Sequence, residues 1–141
     1  MSSAKVKTLT PIKASRLLQD DPKSLLVDVR SQMEFLFIGH PVGAINIAWI
    51  DEPDWNINPH FAAEVRKLVL GGLDHKSGHN VPILLICRSG KRSLEAGELL
   101  LKEGFHQVYN IEEGFEGELD DSHHRSTLGG WRFEGLPWEQ C

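Results

Sequence analysis

The stretch Pro82-Ile83-Leu84-Leu85-Ile86 is an unbroken apolar run. Cys87-Arg88-Ser89-Gly90-Lys91-Arg92-Ser93 follows it without a spacer, ahead of a helix-like pattern that lasts to Glu103 and stops at Gly104. An apolar run of this length suits a strand covered on both faces, and such strands belong to parallel sheets. Strand, tight turn and helix in this order point to an α/β layout, in which ligand sites form at the carboxyl ends of strands. Cys87 stands at such an end. Gly90 lets the backbone turn sharply, and the following helix directs its N-terminal N–H groups back at the loop. Three cations, Arg88, Lys91 and Arg92, surround the thiol in a chain whose net charge is −5. These surroundings favour the thiolate, which is the nucleophilic form of cysteine.

The rest of the chain repeats the alternation. Thr10-Pro11 reads as an N-cap with proline at the first helical position, and Ile12, Ala14, Leu17 and Leu18 recur at helical spacing. Leu25 to Val29 predicts a strand, and Ser31-Gln32-Met33-Glu34 has capping-box spacing, so a short helix is expected directly after it. Ala44 to Ile47 reads as a short strand, and Asn58-Pro59 as the start of a helix that Gly71-Gly72 ends. Val81 to Ile86 is the clearest strand. Ser93 is expected to cap the next helix, with Leu94, Leu101 and part of Leu99-Leu100 facing the sheet, and Val108 to Ile111 is a last strand. Residues 48–58 and 116–130 fit neither period and read as long surface loops.

Length and charge exclude several classes. Residues 1–141 read as a single domain, long enough to bury roughly two-thirds of the unfolded surface without staples. Two cysteines, one of them the last residue, cannot build a disulfide framework. No leader-like or membrane-spanning stretch is evident, so the expected location is the cytoplasm, with no membrane association. An acidic balance with one cationic loop argues against nucleic acid and suits a small anion.

Three motifs, in this order, carry a family resemblance: Val27-Asp28-Val29-Arg30 with Glu34-Phe35; Gly39-His40 with Gly43-Ala44-Ile45-Asn46-Ile47; and Cys87 through Ser93. A fourth, Gly129-Gly130-Trp131 with Gly135-Leu136-Pro137, matches the C-terminal ending. Across nearly its whole length the chain resembles the single-domain rhodaneses, or sulfurtransferases. The resemblance implies a three-layer α/β domain with a five-stranded parallel sheet flanked by helices. It also implies that Cys87 accepts a sulfane sulfur and becomes a persulfide. Backbone N–H groups from Arg88 through Ser93 form a nest suited to the terminal sulfur anion. Arg88, Ser89, Gly90, Lys91, Arg92 and Ser93 are thus the expected substrate-binding set, with Arg92 contacting an anionic donor such as thiosulfate. Sulfur-transferring members have a six-residue loop ending in a basic residue, here Cys87 to Arg92. The related phosphatases and arsenate reductases have one residue more, which would put their arginine where this chain has Ser93.

The remaining polar residues are read as structural: Arg30 held by Asp28 or Glu34 beside the site, and His40 as a scaffold residue. His75 and His79, near Asp74, lie in a glycine-rich stretch, and His123-His124 in an acidic loop, so no metal is expected. Cys141 reads as a tail thiol, and Trp131 and Trp138 as packing the C-terminal segment onto the core. Pro41 and Ala48 depart from the family pattern and lead into the irregular loops. The expected activity is transfer of sulfane sulfur from a small anionic donor, thiosulfate or a persulfide, to cyanide, a thiol or a protein acceptor, with no cofactor. A sulfur carrier that does not turn over, or a regulatory binding domain, is the alternative.

Overall fold

The computed structural model describes residues 5–51, 55–72 and 81–140. Five parallel strands form the central sheet in the order β1 (Lys7–Leu9), β6 (Val108–Ile111), β5 (Ile83–Ile86), β2 (Leu25–Asp28), β4 (Ile45–Asn46). Helices α1 (Pro11–Asp20), α2 (Phe61–Gly72) and α3 (Lys91–Lys102) connect them. The parallel sheet is the one expected from the strand–helix alternation, and its five strands with flanking helices are the architecture that the family resemblance implies.

The period-two alternation of the strands divides the core. Val27, Val29, Ile83 and Leu85 pack with Phe61 and Val65 of α2 and with Ala96 and Leu100 of α3. Leu26, Leu84, Ile86 and Ile111 pack on the other face with Ala14 of α1 and with Phe115 and Trp131. All four residues of β5 are buried, as a two-sided strand requires. The central strand thus fixes the end of the sheet on which Cys87 sits.

Local signals explain most boundaries. Thr10 caps α1, its Oγ1 accepting from the Lys13 N–H at 3.2 Å, with Pro11 next. Ser31 and Glu34 form the reciprocal capping box: Glu34 N–H donates to Ser31 Oγ at 3.2 Å, and Ser31 N–H to Glu34 Oε1 at 3.1 Å. The turn they start widens into a π-helical segment, Glu34–Ile38, that ends at Gly39.

Other expectations need correction. The cap of α3 is Gly90, not Ser93, which lies inside the first turn with its side chain directed to the site. α3 buries Ser93, Ala96, Gly97 and Leu100 and leaves Leu94 exposed, because small residues let it approach β6 closely. A methyl group on Gly97 would stand 3.2 Å from Val108 Cγ1. Three short strands carry no periodic signal. β1 is a short edge strand, and β3 (His40–Pro41) pairs antiparallel with β7 (Trp138–Glu139) at two residues each. Within the loop 48–58, Trp49 is buried edge-on against Phe61, while Trp55 is exposed.

Candidate active site

β5 delivers Cys87 to the carboxyl end of the sheet with only 1% of its surface exposed. The backbone there is clamped by the turn that follows β6. Phe115 N–H donates to the Cys87 carbonyl at 2.7 Å, and the N–H groups of Glu116 and Gly117 donate to the Arg88 carbonyl at 3.0 and 3.2 Å. Gly114 makes this approach possible: its φ is +60°, and a Cβ there would fall 2.3 Å from the Cys87 oxygen.

The sulfur faces hydrogen-bonding groups of its own loop. Gly90 N–H donates to Sγ at 3.1 Å, and Ser93 Oγ lies 3.2 Å from it. Gly90 adopts φ +104°, which folds the loop back so that its N–H reaches the thiol while α3 begins at the next residue. Asn110 of β6 supports both groups. Its Nδ2 donates to the Gly90 carbonyl at 3.2 Å, and its Oδ1 is hydrogen-bonded to Ser93 Oγ. Asn110 is a site residue that the motifs did not single out; its one signal is a polar side chain inside the otherwise apolar strand Val108-Tyr109-Asn110-Ile111.

Among the loop cations, Arg88 and Lys91 are exposed. Arg92 forms a two-point ion pair with Glu34, Nη1 to Oε1 at 2.9 Å and Nη2 to Oε2 at 3.0 Å. Burial on its own raises the Glu34 pKa, but the hydrogen bonds and charge of Arg92, with help from Ser31, bring it from its ordinary 4.5 down to about 2. Burial of Arg92 opposes its charge, and Glu34, followed by Cys87 and Asp28, outweighs that and raises its pKa.

Arg30 is held by Asp28, the first of the two partners expected, through Nη2–Oδ2 at 2.7 Å and Nε–Oδ1 at 3.0 Å, with both side chains fully buried. Glu34 serves Arg92 instead. Arg30 Nη2 also donates to the Gly39 carbonyl at 2.5 Å, and its guanidinium lies 4.6 Å over the Phe115 ring. His40 stacks on Phe35 with ring centres 3.8 Å apart, and its Nδ1 is 2.8 Å from the Phe35 carbonyl. Asp28, Arg30, Glu34 and His40 therefore link β2, the π-helical turn and the C-terminal segment beside the loop, whereas Gly90 and Ser93 of the loop contact the sulfur.

Among the described residues no group of three or more His, Cys, Asp or Glu side chains is placed to hold a metal ion. His123 and His124 are exposed. Asp74, His75, His79 and Cys141 lie outside the described residues. Trp131 is buried, with its Nε1 donating to the Pro137 carbonyl at 2.8 Å, and Trp138 meets Phe115 edge-on.

Comparison with known proteins agrees with this fold. The sequence model of the Rhodanese-like domain matches residues 10–119. An uncharacterized protein of Rickettsia conorii, RC0915, is 30% identical over 134 residues, covering 95% of this chain and 98% of its own. The crystal structure of Rv0390 from M. tuberculosis superposes with a TM-score of 0.82 at 35% identity, covering 98% of this chain and all of that one. A polysulfide-sulfur transferase homodimer from Wolinella succinogenes gives a TM-score of 0.58 at 25% identity, over 96% of this chain and 80% of that one. With the five-stranded parallel sheet, the cysteine at the end of its central strand and a family match over most of its length, this chain belongs to the rhodanese-like domain family.

Proposed function

We propose that this protein is a sulfurtransferase that carries sulfane sulfur on Cys87. The observation behind the proposal is the thiol at the end of β5, with the Gly90 N–H 3.1 Å from its sulfur and a helix N-terminus behind the loop. With thiosulfate as donor, the Cys87 thiolate attacks the outer sulfur, the sulfur–sulfur bond of the donor breaks, and sulfite leaves with the electron pair. The product is Cys87–S–S⁻. The N–H groups of residues 88–93 are the proposed donors to its terminal sulfur, in the manner of an oxyanion hole. A thiophilic acceptor, cyanide, a thiol or a protein cysteine, then attacks that terminal sulfur and returns Cys87 to the thiolate. No cofactor enters either step.

Arg88 and Lys91 are the proposed electrostatic guides for the donor, since both side chains are exposed at the loop. Arg92 is also proposed to contact the donor, which must then compete with Glu34 for the guanidinium fork. Asp28, Arg30, Glu34 and His40 hold the site without contacting substrate. Among the described residues no helix is long and apolar enough to cross a membrane, and a cytoplasmic location is part of the proposal. The test is an intact-protein mass spectrum after incubation with thiosulfate, followed by steady-state turnover with an acceptor. Gain of one sulfur atom on Cys87 and repeated turnover are expected. Loading without turnover would give the carrier reading, and no loading from any sulfane donor would remove the proposal.

A further inference from the structure

The groups around Cys87 form a closed hydrogen-bonded ring with a fixed proton count. Asn110 sits on β6 in register with Leu85 of β5, is nearly buried, and bridges Gly90 and Ser93, the same two residues that touch the sulfur. The Gly90 carbonyl can only accept, so it orients the amide with Nδ2 toward itself and Oδ1 toward Ser93. Two oxygens in hydrogen-bond contact need a proton between them. Asn110 Oδ1 has none to give, so the proton is that of Ser93. A serine hydroxyl has only one, and the Ser93 lone pairs are left to face Cys87.

We propose that Asn110 is a positioning residue that sets the direction of the hydrogen bond between Ser93 and Cys87. While Cys87 carries its proton, the thiol donates to Ser93 Oγ, and Ser93 donates to Asn110 Oδ1. When Cys87 loses its proton to solvent, the sulfur can only accept, and the Ser93 hydroxyl must turn toward it to donate. Asn110 Oδ1 then stands buried without a donor, which is unfavourable. Ionisation of the nucleophile is thereby linked to an amide on the neighbouring strand, while the Gly90 N–H can serve the sulfur in both states.

The experiment follows the ultraviolet absorbance of the thiolate against pH in Cys141→Ser protein, which leaves Cys87 as the one thiol of the chain. Asn110→Ala keeps the surrounding charged groups: Arg88 and Lys91 on the loop, Arg92 on α3 with its partner Glu34, Asp28 at the end of β2, and Glu113 beyond β6. It releases the Ser93 proton to the sulfur, so the thiolate should form at a pH lower by about one unit, or about tenfold more readily at a given pH. Adding Ser93→Ala to Asn110→Ala should abolish that shift. An unmoved midpoint in Asn110→Ala, or an equal shift with and without Ser93, overturns the proposal. Asn110→Leu, which fills the volume of the amide, is held to the same outcomes should the alanine chain unfold. In Ser93→Ala alone, the infrared S–H stretching band of Cys87 should move to higher frequency as the thiol loses its acceptor; an unmoved band also overturns the proposal. None of these readouts depends on sulfur transfer.

Discussion

β2 and β5 are neighbours in the sheet, with Asp28 in register with Ile86, yet the segments leaving their carboxyl ends are built on opposite principles. After β2, charges are matched: Asp28 with Arg30, and Glu34 with Arg92. After β5, the sulfur meets an amide N–H and a hydroxyl, and the exposed cations Arg88 and Lys91 lie on the same loop. The same topological position is a brace in one case and a proposed reaction site in the other. What separates them is whether the charges are paired inside the protein or left facing something that can change its charge. The ends of adjacent parallel strands supply both, since one holds the other in place.

The comparison breaks most readily at Arg30. Removing one partner of a fully buried ion pair leaves the other uncompensated, so Arg30→Ala should destabilise the fold by about 3–5 kcal/mol in urea titration. Cys87→Ser should instead abolish sulfur loading while moving the unfolding midpoint little. A small stability loss in Arg30→Ala, or retained loading in Cys87→Ser, would erase the distinction between brace and site.

A smaller effect is expected where the two principles meet. Arg92→Ala should lower kcat/KM for thiosulfate by about 1.5–3 kcal/mol in transition-state free energy, and more than Arg92→Lys does, because lysine offers no planar fork. Unchanged kinetics in the alanine variant would assign Arg92 to the brace alone. Gly114→Ala joins the regions differently: a Cβ at φ +60° beside the Cys87 carbonyl should cost about 1–3 kcal/mol of stability and slow loading as well. Full loading by that variant would mean that the clamp on the Cys87 backbone is dispensable.

The weakest effect concerns pH. The Glu34 pKa in the folded protein, about 2, lies below its ordinary 4.5, so the pair with Arg92 stabilises the fold fully above 4.5 and loses that contribution as pH falls toward 2. Allowing for solvent screening of a partly exposed pair, the contribution is about 1–2 kcal/mol. The stability difference between wild type and Glu34→Gln should therefore be constant near neutral pH and shrink below about pH 4.5. A difference independent of pH from neutrality down to 3 would show that the charge of Glu34 plays no part.

How far the sequence carries can be followed residue by residue. Thr10-Pro11 and Ser31 with Glu34 act through contacts within a few residues, the uninterrupted run before Cys87 acts through its apolar pattern, and each marks an element that forms. Ser93 departs from its expected role for the converse reason. A serine at a helix start is expected to cap its own helix, but here a partner on β6, seventeen residues away, captures its hydroxyl. Leu94 likewise suits an apolar helix face. The close approach of α3 to β6 through Gly97 turns Ala96 inward instead, beside Leu100, which faces the sheet as expected.

The sequence by itself determined the strand–loop–helix unit, the parallel sheet and the cysteine at its carboxyl edge, because strand burial, glycine turns and helix starts are encoded at short range. Only the tertiary structure decided which partner each polar side chain took: Arg30 with Asp28, Arg92 with Glu34 fifty-eight residues away, and Asn110 with Gly90 and Ser93. The physical reason is that a charge or an amide accepts any partner of suitable polarity. The choice among them depends on which strand ends and turns the packed core brings within hydrogen-bond reach.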